Sequence, residues 1–431
     1  MDDVEDGPTL SRRSFVAAAV AAGGSVGLSA CLGAESEPDL PRGATDLSSL
    51  PDRQHAWNHA LPEDEYGNTV PPRHRILLLF DLETEGEPDR SARERTRLAF
   101  ETLERAYPRS NDGLLFTVSY SRRYFDRFEE SLSSSVDLPD PTALAPFEDP
   151  TLDRSNVVVH LGSDYGQVLL AAERALLGER DEVNDVDVAA SLDDDFVLVD
   201  RRTGFVGEGL PGEHQDVDGV PDSPAIPDES PMFMGFKSGF ERTQASEDRV
   251  TIQRGPFTGG TTQQLSAIDL HLDQWYGQDS RFHREASMFC PHLADAGAIE
   301  GAGENLGTSA SMSRCPAHSS EELLEAAEED GVVGHSQKMV RARDDRGPRL
   351  LRRDFNSTDG GRARLHFLSL QRSITDFVET RRAMNGSDVA ESTPVGRRTN
   401  NGLLQYVTVR RRGNYLVPPR ESRALPGPTG R

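Results

Sequence analysis

The sequence predicts an α+β fold of two ferredoxin-like halves, each a four-stranded antiparallel sheet covered by helices, together barrel-like. Two observations predict it. Residues 71–210 read as β-α-β-β-α-β from their apolar runs and helical periodicities. Residues 261–420 repeat that order with longer insertions, as a duplication of pattern and not of sequence. A chain of 431 residues can bury a sizeable core in each half.

In the first half, residues 75–80 (RILLLF) suit a buried strand. A helix is expected over 91–107, capped by Ser91, stopped by Pro108, with Ala99, Leu103, Ala106 and Tyr107 inward. Strands at 114–120 and 156–161 flank a polar, proline-rich connection over 129–154. A helix over 165–177 turns Val168, Leu169, Ala172 and Leu176 inward, and a strand over 196–205 closes the unit. Residues 211–260 form a connecting loop that contains Gly235-Phe236-Lys237-Ser238-Gly239. In the second half, Gly259-Gly260 opens a strand over 263–272, and a helix from Asp273 carries Trp275 towards Ala286. Residues 289–320 are irregular, and 320–330 are acidic and helix-prone. A basic strand-turn-strand around His335 turns at 344–348. A strand over 365–370, a helix over 374–384 with Phe377, Val378 and Arg381 on one side, and a strand over 403–409 complete it, with a tail at 421–431.

Net charge is −25, and the only lysines are Lys237 and Lys338. An acidic, arginine-rich surface of this kind suits high salt, and it argues against nucleic acid or an anionic membrane surface as partner. A GC-rich coding sequence would also favour arginine. At the N-terminus, Arg12 and Arg13 precede a mild apolar run, the pattern of a twin-arginine export signal. Leu28-Ser29-Ala30-Cys31 resembles a lipobox, so residues 1–31 read as a signal with lipidation at Cys31. The expected location is the outer face of the cell membrane, held by lipid. Residues 32–70, rich in Pro, Gly, Ser and acid, read as a flexible tether.

Lipidation would leave Cys290 and Cys315, which outside the cytoplasm most simply pair. The competing reading is a metal site, because Cys290-Pro291-His292 and Cys315-Pro316-Ala317-His318 each offer a thiol and an imidazole. That spacing matches no standard zinc frame.

The stretch from Gly331 to Asp354 holds His335, whose neutral imidazole would suit iron, and Arg353 eighteen positions later. His283, His292 and His318 are rival ligands. The elements then occur in a telling order. Two ferredoxin-like halves are joined by a loop ending Gly235-Phe236-Lys237-Ser238-Gly239, followed by a Gly-Gly strand, a histidine, Leu351-Arg352-Arg353-Asp354, and Asn414-Tyr415-Leu416-Val417-Pro418-Pro419. Over residues 75–419 the chain resembles the dye-decolourising peroxidases, as a divergent member of the exported branch.

The resemblance implies haem b bound by His335, Arg353, Gly235, Phe236 and Gly239. It makes His335 the proximal iron ligand and Arg353 the distal arginine. Substrates would be peroxide and a small organic donor, and a homo-oligomer is allowed. Asp388 and Glu391 lie in the region expected to supply a carboxylate to His335. One departure matters most: the family's distal aspartate falls at Ser238. A serine hydroxyl can hydrogen-bond a ligand but cannot shuttle a proton near neutral pH. Peroxidase activity is therefore expected to be weak or altered, unless Glu241, Asp354 or a water chain substitutes. Two alternatives stay open: a non-catalytic binding or structural lipoprotein on the same scaffold, and a Cys/His metal protein.

Overall fold

The computed structural model describes residues 38–222, 226–310, 315 and 319–430. Arg12, Arg13, Cys31 and His318 lie outside the described residues. Among the described residues, no helix is long and apolar enough to cross a membrane.

The first half contributes strands β1 (His74–Leu82), β2 (Leu115–Ser121), β3 (Val157–Ser163) and β4 (Phe196–Phe205), and helices α1 (Arg90–Ala106) and α2 (Gly166–Leu176). The second half contributes β5 (Thr261–Leu270), β6 (Leu351–Arg352), β7 (Phe355–Ser357), β8 (Arg364–Gln371) and β9 (Val407–Val417). Its main helices are α3 (Arg281–Met288), α4 (Ser320–Asp330), α5 (His335–Arg341) and α6 (Ile374–Asn385).

Each half is ferredoxin-like in topology. In the first, the spatial order is β4-β1-β3-β2; in the second it is β9-β5-β8, with β6 and β7 on the outer edge of β8. The halves are not separate domains. β9 pairs with β2 (Tyr415 opposite Ser121), and β7 pairs with β4 (Asn356 opposite Phe205), so the sheet closes on itself. Closure leaves neither half with the open edge strands it would otherwise expose.

Period-two alternation then sorts side chains into barrel interior and outer faces. Leu77, Leu79, Val158, Leu265, Leu368, Leu370, Tyr415 and Val417 fill the interior. The outer face of the first sheet is covered by α1 and α2, whose Ala99, Phe100, Leu103, Val168, Leu169 and Leu176 join Ile76, Leu78, Val157 and Val159 in the largest core. The inward residues expected for α2 are all buried. The cap of α1 is Asp89, which accepts the Ala92 N–H at 2.8 Å, in place of Ser91.

Three expectations are corrected. Residues 38–70 are not a free tether: Trp57 is fully buried, and Gln54 and His55 are buried beside it. Gln54 accepts the Val118 N–H and donates to Pro418 O, which stitches this segment across both halves. Its polar composition hid a short buried stretch. The helix expected from Asp273 to Ala286 is broken into Leu272–Gly277 and α3, with Ser280 capping the second. The basic strand around His335 is a helix, α5, although the turn at Asp344–Gly347 is present. Gly334 begins α5 because a Cβ there would lie 1.9 Å from Phe289 O, so only glycine permits this approach.

Cys290 and Cys315 form a disulfide. With both thiols in the bridge, neither is left to ligate a metal. Among the described residues no group of three or more His, Cys, Asp or Glu could hold a metal ion. The bridge closes a separation of 25 residues. Cys315→Ser should therefore cost about 3 kcal/mol of stability, read as a lower urea midpoint. An unchanged midpoint under oxidising conditions would refute that.

Candidate functional site

The outer face of the second sheet is only partly covered, and there a cavity of about 250 Å³ opens. Its floor consists of alternate residues of the sheet: Ser266, Ile268 and Leu270 of β5, Leu365 and Phe367 of β8, Val407 and Val409 of β9. Its roof is α5 and α6, and its side wall is the loop Met232–Phe240 with Met288 and Phe289.

His335 lies at the first turn of α5 and faces this cavity. The residue is half-buried at the cavity wall, and crowding of the ring by protein lowers its pKa to about 3; burial is the main cause, helped by the charges of Lys338, Arg352 and Arg381. The imidazole is neutral at physiological pH, the state a metal requires of it. No described side chain or backbone group hydrogen-bonds the ring. The carboxylate expected to do so is engaged elsewhere: Asp388 pairs with Arg341, and Glu391 is exposed.

α5 is held in place by Lys338, three residues after His335. Its fully buried Nζ donates to Met384 O (2.7 Å), Asn401 O (2.9 Å) and Asn401 Oδ1 (2.7 Å). Burial, with Arg381 and Arg341 nearby, pushes the pKa of this amine well down. Three carbonyl oxygens nonetheless match the three N–H bonds of an ammonium, and that geometry holds the charged form.

Arg353 does not reach the cavity. It is buried in the barrel interior, donating to His55 O (2.7 Å) and Glu247 Oε1 (3.1 Å), with its guanidinium 4.3 Å from the centre of the Trp57 ring. Successive strand residues point to opposite faces. Leu351, Arg353 and Phe355 therefore point inward, and Arg352, Asp354 and Asn356 face the cavity. Of the two adjacent arginines, Arg352 is the one that lines the cavity; it donates weakly to Thr243 Oγ1 (3.4 Å) and leaves Nε without a partner. Asp354 sits beside it, Oδ2 at 3.9 Å from Arg352, and accepts the Leu368 N–H at 3.1 Å.

Phe236, Lys237, Ser238 and Gly239 line part of the wall, and Gly235 lies just outside the lining. Gly235 and Gly239 take left-handed conformations, and a Cβ at Gly235 would lie 2.7 Å from Tyr276 Oη. Phe236 packs edge-on against Phe289 with centroids 5.2 Å apart. Ser238 is exposed on the wall. Glu241 is exposed and outside the lining, and His283 and His292 lie beside Asp279 and Asp330 away from it.

Two features of the lining are concentrated beyond chance expectation from composition. Both lysines of the chain, Lys237 and Lys338, line this cavity. So do five of its seven methionines: Met232, Met234, Met288, Met339 and Met384. The lysine scarcity was visible in the sequence and was a usable pointer to the site.

Haem is the group that the sequence resemblance implies, and the chemistry of the lining is compatible with it. A neutral imidazole faces an apolar cavity, and Lys338, Arg343, Arg352 and Arg381 offer positive charge for an anionic ligand in a protein of charge −25. The volume lies just below the roughly 300–1,000 Å³ of ligand pockets. Admitting a porphyrin therefore requires side chains to move aside, and methionine is the side chain best able to do so.

The family model that matches the sequence covers residues 72–419 and describes a family of unknown function, DUF7405. The chain belongs to DUF7405. No curated protein matches it. Among solved structures, this DUF7405 chain is similar to a dye-decolourising protein from V. cholerae at 13% identity and TM-score 0.52, covering 85% of this chain and 98% of that one. It is similar to a protein described as a DyP-type peroxidase from Shewanella oneidensis at 15% identity and TM-score 0.53, covering 83% and 95%. The protein DyPB from Rhodococcus jostii RHA1 matches at 13% identity and TM-score 0.52, covering 83% and 96%, and a variant of it is in complex with haem. At such identities the likeness establishes that this chain shares their fold, and nothing further.

Proposed function

We propose that this DUF7405 chain binds haem b in the cavity, with His335 as the iron ligand, and that it turns over peroxide slowly. The observation that carries this reading is the neutral, unpartnered His335 facing an apolar cavity ringed by cations. Haem, when bound, supplies the redox chemistry: reduction of peroxide at the expense of a small organic donor. Arg352, not Arg353, is the guanidinium placed to stabilise an anionic oxygen ligand. Arg343 is placed to meet a carboxylate, whereas Arg381 is already paired with Glu148. With this activity we propose export through the Arg12-Arg13 signal and attachment through lipid at Cys31, as the sequence pattern suggests.

Three observations favour slow turnover and keep non-catalytic haem binding as a second reading. Ser238 cannot replace a carboxylate acid-base group. His335 lacks the carboxylate or carbonyl that would raise its basicity as a ligand. Five methionine thioethers line the cavity, and peroxide would convert them to sulfoxides.

The test is the absorbance of purified protein reconstituted with haem. A Soret band is expected in wild type and its loss in His335→Ala. A wild type without the band, or a variant that keeps it unchanged, overturns the proposal. Separately, peroxide turnover by the loaded wild type distinguishes the slow peroxidase from the inert binder.

A further inference from the structure

We infer that Asp354 is the proton-accepting carboxylate of this cavity and performs, for a small protic ligand held by Arg352, the task that the serine at 238 cannot. The inference rests on the haem reading of the site for its ligand, but on its own geometry for the residue. Arg352 ends β6 and Asp354 follows two residues later, in the short break before β7; both side chains line the cavity. The Asp354 side chain is 7% exposed. Its Oδ1 is committed to the Leu368 N–H at 3.1 Å, and Oδ2 is left 3.9 Å from Arg352, a distance too long for a hydrogen bond. One carboxylate oxygen is therefore anchored, and the other carries no direct hydrogen bond.

The charged groups facing it across the cavity are Lys237 from the loop, Lys338 and Arg343 from α5 and the segment after it, Arg381 from α6 and Arg412 from β9, with His335 neutral. Lys237 is engaged by Asp64, and Arg381 and Arg412 by Glu148. Arg352 is the cation that acts on Asp354. Burial outweighs it and raises the carboxyl to about 6. A base in this range can take and return a proton near neutral pH. In the step proposed, the proton on the ligand oxygen or carbon passes to Oδ2. The result is a neutral carboxyl and an anionic ligand beside Arg352. The reverse transfer restores both.

Cyanide is the probe, since hydrogen cyanide must lose its proton to bind ferric haem as the anion. Asp354→Asn keeps an oxygen acceptor for Leu368 and the shape of the side chain. In haem-loaded protein at pH 7, cyanide association is expected to slow by about 10²-fold in Asp354→Asn. Glu241→Gln, outside the cavity, is expected to match wild type. An unchanged rate in Asp354→Asn, or slowing of similar size in Glu241→Gln, overturns the assignment. The second measurement needs no haem. Infrared spectra of the apoprotein should show a carboxyl C=O band that titrates near pH 6 and is missing in Asp354→Asn. If no such band is present the assignment fails, even where a Soret band upholds the haem reading. If the band is present and no Soret band forms, the haem reading fails and the proton-holding role of Asp354 stands.

Discussion

Acid is expected to unfold this protein steeply between about pH 6 and pH 4, because several histidines are held neutral in buried or half-buried positions. In the unfolded chain each histidine takes up a proton near 6.5. In the native protein His335 and His55 refuse theirs until about 3, and His74 until about 4. Burial is the largest cause in each, and His160, fully buried beside Arg75, is depressed as well. The sign follows from proton counts. Between the folded and unfolded values the unfolded state binds more protons, so stability is complete above 6.5 and is lost as pH falls towards the folded value. One pKa unit is worth about 1.4 kcal/mol, so His335 and His55 each account for up to about 5 kcal/mol. Halving that for solvent access within the cavity still leaves a total comparable to the roughly 5–15 kcal/mol that holds a domain together. The check is the urea midpoint against pH, with proton uptake measured calorimetrically. His335→Met should flatten the slope by about one proton. A midpoint constant from pH 7 to 4.5 would show that these rings are not held neutral.

Replacing Lys338 by methionine is expected to destabilise the protein by roughly 3 kcal/mol and to weaken haem binding together with it. Two effects oppose each other. Removing a buried ammonium relieves its desolvation cost, which is several kcal/mol. It also leaves Met384 O, Asn401 O and Asn401 Oδ1 without their donor, and hydrogen bonds from a charged group are worth about 1.5–3 kcal/mol each. Three such bonds outweigh one desolvation. The loss also frees α5, because Gly402 sits against both Lys338 and His335 and ties them to the same loop. The readouts are the urea midpoint and the haem dissociation rate. A variant at least as stable as wild type would mean that the amine is neutral and that the three oxygens need no cation.

Much of the fold was legible. Strong apolar runs such as 75–80 and helices with an unbroken inward stripe, such as 165–177, came within a residue or two of their observed bounds, since local burial alone dictates them. The segment before residue 70 was misread, because one buried Trp57 amid polar neighbours leaves no periodic signal. The helix at His335 was misread as a strand for a similar reason. Seven residues are too few for a 3.6-residue period to declare itself, and α5 is held by the bonds of its own Lys338 to Met384 and Asn401.

The site divides along the same line. Its location near His335 and the Gly235–Gly239 loop followed from residue types and order. Which of two adjacent arginines serves it did not, because Arg352 and Arg353 are chemically identical and differ only in which way the extended chain turns their side chains. That direction is set by barrel closure, which buries Leu351, Arg353 and Phe355 and leaves Arg352 and Asp354 to the cavity. By itself the sequence determined the duplicated plan, the acidic surface and the histidine. Only the tertiary structure decided which guanidinium and which carboxylate share that histidine's cavity, because a strand's parity acquires meaning only when one of its faces is sealed.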